Sequence, residues 1–247
     1  MRTLTLSAVA LALTLPSLPA LGSDMPQDNS GRKDALTLWG VQFEELEYRY
    51  SDDDEELGVW NGDAFYGTDE LKFRWQSKGE YAIEEEAYEK LENQLLLQTP
   101  ISDFFDAKAG VRFDTPEGPD RTYGVLGLSG LAPHWFEVDA SLYVSDEGDT
   151  SAEFDAEYEL LFTNHLILSA ALDATIAFTE DREIGVGKGL VSTETGLRLS
   201  YDLFHRSFSP YLGVVHERKY GDTADFAEAE GGGTEDWFAV VGARVSF

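Results

Sequence analysis

The chain contains no cysteine, so disulfides and thiolate metal centres are excluded. That absence is compatible with export but does not demand it. Methionine is nearly as scarce: Met1 and Met25 are the only two. Bases are few, with 18 Lys and Arg against 47 Asp and Glu, and the formal net charge is −29. A surface of that sign repels phosphate, so no nucleic acid is expected as a partner. Long apolar runs are also missing. Beyond the first residues no window reaches the roughly 20 apolar residues of a membrane helix, so any passage through a bilayer falls to strands.

The exception at the front, MRTLTLSAVALALTLPSLPALGS, has a basic start at Arg2, an apolar run from Leu4 to Leu15 and a small-residue boundary. It reads as a signal peptide over residues 1–22. Ala20 and Gly22 precede a cut before Ser23, and a cut after Ala20 is the alternative. Removing residues 1–22 deletes Arg2 and no acid, leaving the mature chain more negative. Residues 23–35 then form a periplasmic N-terminal segment and 36–247 the main domain.

From Leu36 onward, period-two stretches recur between turn signals, and no stretch shows a persuasive helical period. Strands are expected at 36–50, 57–66, 70–78, 86–98, 102–114, 121–131, 134–144, 150–162, 166–179, 190–203, 209–220 and 236–247. The connections alternate. GTD (67–69), TPI (99–101), AP (132–133), TNH (163–165) and HRSFS (205–209) are tight. SDDDEE (51–56), GEYAIEE (79–85), TPEGPD (115–120), SDEGD (145–149), EDREIGVGKG (180–189) and GDTADFAEAEGGGTE (221–235) are longer and acidic.

In EFDAEYELLF, residues 153–162, Glu153, Asp155, Glu157 and Glu159 share one face, while Phe154, Ala156, Tyr158, Leu160 and Phe162 share the other. Charges facing lipid cost up to a few kcal/mol each, so the carboxylates face a lumen. Phe105, Ala107, Ala109, Val111 and Phe113 oppose Asp106, Lys108, Gly110, Arg112 and Asp114 in the same way. Phe136, Val138, Ala140, Leu142 and Val144 oppose Trp135, Glu137, Asp139, Ser141 and Tyr143. Thr195, Leu197, Leu199 and Tyr201 oppose Glu194, Gly196, Arg198, Ser200 and Asp202. The outward aromatics fall at two heights. Phe105, Phe136, Phe162, Tyr201 and Phe247 mark the short-turn end, and Phe113, Phe154, Phe178, Tyr220 and Trp237 the long-loop end.

These features define an all-β fold, a transmembrane antiparallel up-and-down β-barrel of about 12 strands (range about 10 to 14), embedded in outer-membrane lipid. A soluble sandwich also alternates, but its strands average about 5 to 6 residues and its loops need not sort by rim. The last strand, WFAVVGARVSF, ends on an outward Phe247 and resembles the signal read by outer-membrane assembly machinery. An even strand number places both termini in the periplasm of a Gram-negative cell.

Several stretches resemble the copper resistance protein B family of outer-membrane proteins: AFYGTDELKFRWQSKGE (64–80), RTYGVLGLSGLAPHWFEVDASLYV (121–144), SAEFDAEYELLFTNHLIL (151–168), GLVSTETGLRLSYDL with FSPYLGVVHERKYGDTADFA (189–227). The resemblance runs from about Leu38 to Phe247. It implies a barrel taking part in copper resistance and homeostasis, with copper ion bound or passed rather than used catalytically, and periplasmic copper-handling proteins as partners. The Met- and His-rich arm that family members often carry has no counterpart in Ser23 to Ala35 beyond Met25.

With no cysteine and one mature methionine, the residues favour Cu(II) over Cu(I). His134, His165 and His205 fall at separate short turns, roughly 12 Å apart when two strands intervene, too far for one chelate. His216 points outward, so the copper ligands stay unknown. The lumenal acids Glu137, Asp139, Glu153, Asp155, Glu157 and Glu159 either pass cations or pair with Lys72, Arg74, Lys108, Arg112, Arg198 and Arg244, and pairing is favoured. HRS at 205–207 is the only hint of hydrolase chemistry, and a turn supports it poorly, so no enzyme is expected. The alternative function is a small general pore for cations or polar solutes without a dedicated copper site.

Overall fold

The computed structural model describes residues 36–51, 55–115, 120–204 and 206–247. The expected signal peptide, the segment 23–35 and His205 lie outside the described residues.

Among the described residues twelve strands follow one another: β1 (Leu38–Ser51), β2 (Glu56–Gly67), β3 (Lys72–Ala82), β4 (Ala87–Pro100), β5 (Phe105–Asp114), β6 (Arg121–Ala132), β7 (Phe136–Ser145), β8 (Thr150–Leu161), β9 (Leu166–Ala177), β10 (Gly189–Tyr201), β11 (Phe208–Lys219) and β12 (Glu235–Ser246). Each pairs antiparallel with the next, and β12 returns to β1, so the barrel is closed and no edge is left open. Closure matters because an unpaired ladder edge has no water to bond in hydrocarbon.

Side chains alternate as the pleat requires. On β12, Trp237 is 54% exposed and Val241 49%, whereas Phe238 and Val240 are buried. Leu126 on β6 and Leu212 on β11 stand outward at 65% and 67% exposure, without polar neighbours on that face to explain them in water. Inside, buried residues include Glu47, Arg49, Glu92, Lys108, Arg112 and Arg198. Apolar-out and charged-in is the reverse of a soluble domain.

Four expectations need correction. A helix, α1 (Gly221–Glu230), occupies the last long connection, expected as an acidic loop. Its residues, GDTADFAEAE, carry no apolar stripe, so no helical period was visible; it ends at Gly231 in the left-handed region (φ 87°), whose N–H reaches back to Ala227 and Glu228 carbonyls. A 3₁₀ turn, Pro133–Trp135, replaces the start of the strand expected from 134. Trp135 therefore leaves the lumenal row and stands 74% exposed at φ 68°. The strand expected from 102 begins at Phe105. The loop expected from 79 begins after Ala82, because Tyr81 and Ala82 stay paired with β2 and β4.

One further irregularity shapes the lumen. Phe43 pairs with Gly62 and Glu45 with Asn61, so Glu44 is an extra residue in β1. This β-bulge lets consecutive carboxylates, Glu44 and Glu45, both line interior cavities.

Candidate functional site: a charged lumen

The ion pairs of the lumen fall into groups. Arg49 is 1% exposed; its Nε donates to Glu47 Oε2 (2.8 Å), Nη1 to Glu217 Oε1 (2.8 Å) and Nη2 to Glu194 Oε1 (2.9 Å). Arg198 donates to the other oxygen of Glu47 (2.5 Å) and pairs with Glu45 (2.6 Å). Burying these charges is tolerable only because each carboxylate meets a guanidinium. Arg112 joins Glu92 (2.8 Å), Asp114 (2.7 Å) and Glu153 (2.5 Å), and lies against the rings of Tyr123 and Tyr143. Near the short turns, Arg244 bridges Glu157 and Glu159, and Arg206 adds a second contact to Glu159 (3.1 Å).

Local sequence makes some of these reaches feasible. Lys108 on β5 crosses Gly127 on β6 to bond both oxygens of Asp139 on β7 at 2.7 Å. A Cβ at Gly127 would come within 2.7 Å of Lys108 Cε and 2.8 Å of a backbone carbonyl, so glycine clears the way.

All six lumenal acids named from sequence point inward, and five of them are paired. Asp139 takes Lys108, Glu153 takes Arg112, Glu157 and Glu159 take Arg244, and Asp155 meets Lys78 loosely at 3.8 Å. Of the bases named, Arg74 faces Asp63 at 3.6 Å and Lys72 lies opposite Gln98. Sequence reading missed Arg49, Lys78 and Lys90, although lumenal parity with Glu47 and Ser51 marks Arg49. It could not foresee that Arg49 meets residues 145 and 168 positions away.

Acids outnumber bases, and they are ordered. Asp139 pairs in register with Asp155, Asp155 with Asp173, Asp173 with Glu194, Glu194 with Glu217, and Glu217 with Asp236. One carboxylate per strand from β7 to β12 thus forms a continuous row. Strands in a barrel tilt, so a row perpendicular to them climbs the wall. At the long-loop rim Glu55 is held above the ordinary carboxylate range, first by desolvation and then by the Asp236 and Glu85 carboxylates.

Among the described residues, three cavities line the interior. An upper one of about 320 Å³ reaches Glu55 and Lys219, a middle one of about 450 Å³ contains Gln94 and Tyr143, and a lower one of about 210 Å³ reaches Arg206 and Ser246. Over the long-loop rim, Arg121 of β6 holds Asp181 (3.1 Å) and Glu183 (2.8 Å), while the Gly187 N–H donates to Thr223 of α1 (2.9 Å). The connection between β9 and β10 is thereby tied to both β6 and α1.

The histidines stay apart from this system. His134 stands at φ 69° in the 3₁₀ turn; His165 bonds the Asp202 carbonyl (3.0 Å) and stacks on Tyr201; His216 faces outward, bonding Glu235 (3.0 Å) against Trp237. Among the described residues no three His, Asp or Glu converge tightly enough to chelate a metal.

A closed antiparallel ring with an apolar exterior and a charged interior defines a transmembrane β-barrel of the outer-membrane class. A solved NanC porin has the same fold: TM-score 0.52 at 12% identity, covering 83% of this chain and 98% of that one. The family model described as Copper resistance protein B precursor (CopB) matches residues 37–247. Copper resistance protein B of Escherichia coli is 34% identical over 214 residues, covering 87% of this chain and 71% of that protein. The Copper resistance protein B homolog of Pseudomonas syringae pv. tomato is 34% identical over 204 residues, covering 83% and 68%. The chain belongs to the copper resistance protein B family: a non-enzymatic outer-membrane barrel with a role in copper resistance.

Proposed function

We propose that the barrel lowers copper toxicity by passing copper across the outer membrane through its lumen, in the Cu(II) form. The observation that supports this most is the lumenal wall itself. Its donors are carboxylate, amide and hydroxyl oxygens, with no thiol, thioether or imidazole among the described lining residues. Cu(II) accepts carboxylate oxygen, whereas Cu(I) prefers soft sulfur donors. In this reading residues 1–22 are a cleaved signal peptide, 23–35 are a periplasmic segment, and periplasmic copper-handling proteins meet the short-turn rim.

Growth in copper tests the proposal. A strain lacking the protein is expected to tolerate less copper than its parent and to recover with the gene restored. Equal growth of deletion and parent contradicts it. The absence of a chelating cluster among the described residues favours a second reading, a general pore for cations or polar solutes. Liposome flux separates the two: copper-specific passage predicts faster entry of Cu(II) than of Ca(II).

A further inference from the structure

The connection between β9 and β10, residues 178–188, does not stay above the two strands that it joins. It leaves β9 along the top of β8, where the Phe178 N–H donates to the Thr150 carbonyl (2.8 Å) and the Thr150 N–H to Thr179 Oγ1 (2.8 Å). It then reaches β6, where Arg121 Nε donates to Asp181 Oδ2 (3.1 Å) and Nη2 to Glu183 Oε2 (2.8 Å). Three steps of the ~4.8 Å strand spacing separate β9 from β6, so the segment crosses above β8 and β7. The crossing runs on the lumenal side. Arg121 is 7% exposed and shares its face of β6 with Tyr123 and Val125, whereas Thr122 and Leu126 face outward. Two backbone bonds between Asp181 and Val186 (2.8 Å each) and Gly185 at φ 68° turn the chain back. Gly187 then seats it on α1: a Cβ there would come within 2.6 Å of Asp222 Cβ and of the Thr223 nitrogen, so glycine alone permits the approach.

The lumen below this segment is packed. Tyr123 and Tyr143 meet edge to face at 6.2 Å and pack with Leu96 and Val125. The upper cavity takes its lining strands from β1 to β4 and from β8 to β12, and none of its described lining residues comes from β5, β6, β7 or residues 178–188. The outer mouth is thus divided into a side that opens on the cavity and a side that is covered. The cover is fastened differently from the barrel. Asp181 is its only buried side chain, and Ile184 and Val186 are no more than half-buried, so hydrogen bonds and ion pairs hold it. An element with few buried apolar contacts opens at a lower free energy than the strand ladder beneath it.

We infer that residues 178–188 form a strap that closes the β6 to β8 side of the outer mouth, latched by Arg121 to Asp181 and Glu183 and held at its far end by α1. The latch is single. Arg121 is the only base paired with either carboxylate among the described residues, and its fork gives each a charge-assisted bond. Releasing it uncovers that side of the lumen without breaking a strand pair, because every strap contact lies beyond the ladder ends. The strap belongs to the mouth and stands whatever the lumen passes.

The test reads access to the covered side by thiol chemistry, which is clean because the chain has no cysteine. Ser145 ends β7 on the lumenal face, in register with Tyr123, and is 6% exposed, so Ser145→Cys sets a small reporter in the covered sector. Glu147→Cys, at the exposed tip of the next turn, is the free-access control. With a bulky charged thiol reagent on the purified full-length barrel, Ser145→Cys is expected to react about tenfold slower than Glu147→Cys, or slower still. Adding Asp181→Asn with Glu183→Gln, or adding Arg121→Gln, is expected to speed the Ser145→Cys reaction about tenfold or more, because modification through an opening follows the open population. Arg121→Lys keeps the charge and is expected to stay within about threefold of the unlatched background's starting rate, that of Ser145→Cys alone. Heat-dependent mobility on gels shows which variants fold, and where the double carboxylate variant does not, Asp181→Asn alone decides. Equal rates for the two cysteines, or carboxylate variants that leave Ser145→Cys as slow as before, overturn the strap. A gain with Arg121→Gln alone reports the hole left by the guanidinium and overturns it too. A deletion strain indifferent to copper overturns the copper reading and leaves these rates, and the strap, unmoved.

Discussion

On β8, Phe154 faces outward at 43% exposure, while its neighbours Glu153 and Asp155 face the lumen against Arg112 and Lys78. The two walls are made by the same strands and are held by different physics. Outside, Leu126, Leu212, Val241 and their neighbours act by apolar area, which is non-directional and nearly additive. Inside, Arg49 alone serves Glu47, Glu194 and Glu217, so each group depends on several others. The outer wall should therefore tolerate substitution by any apolar residue, and the inner wall should not tolerate loss of a single guanidinium.

The largest effect is expected at Arg49. Arg49→Met leaves Glu47, with no side-chain exposure, short of one of its two guanidiniums, and should cost about 3–5 kcal/mol in urea unfolding of the barrel in liposomes. An unchanged transition would show that the lumen is wetter and less networked than described. Next is the outer wall: Leu126→Arg places a charge in hydrocarbon and should cost about 2–4 kcal/mol, whereas Leu126→Ile should be nearly silent in the same assay. Coupling is a smaller effect but sharpens the contrast. Arg49→Met combined with Glu217→Gln should deviate from additivity by about 0.5–3 kcal/mol, while Leu126→Ala with Leu212→Ala should add within about 0.5 kcal/mol. Smallest of all, His134→Ala should change stability by less than about 0.5 kcal/mol and leave copper tolerance unaltered in growth assays, since that side chain belongs to neither wall.

The outer wall was the more legible in sequence. Its alternation depends only on the pleat, so strands such as β6 and β12 were placed within a residue or so from local pattern alone. The lumen was legible in direction but not in partnership. The crowding of acids at Glu44 and Glu45 in QFEELEYRYS breaks period two, yet which cavity each carboxylate reaches depends on the pairing of β1 with both β2 and β12. The pairing of Arg49 with Glu194 and Glu217 exists only because the ring closes, and no local window contains that fact. The helix α1 was hidden for a different reason. Polar all round and ten residues long, it leaves no apolar period to read, and its N-terminus lacks a side-chain cap. His134 and His165 stand at separate turns, as the spacing of strands around a rim requires, while His205 lies outside the described residues.

The account rests on two solvents meeting one set of strands. Because the chain has no cysteine, single cysteines can be introduced and spin-labelled one at a time along residues 152–160 of β8 in reconstituted membranes. Collision with molecular oxygen, which concentrates in hydrocarbon, should peak at Ala152, Phe154, Ala156, Tyr158 and Leu160, and collision with a water-soluble nickel chelate should peak at Glu153, Asp155, Glu157 and Glu159. Labels that all meet the aqueous reagent alike, with no period of two, would contradict the barrel.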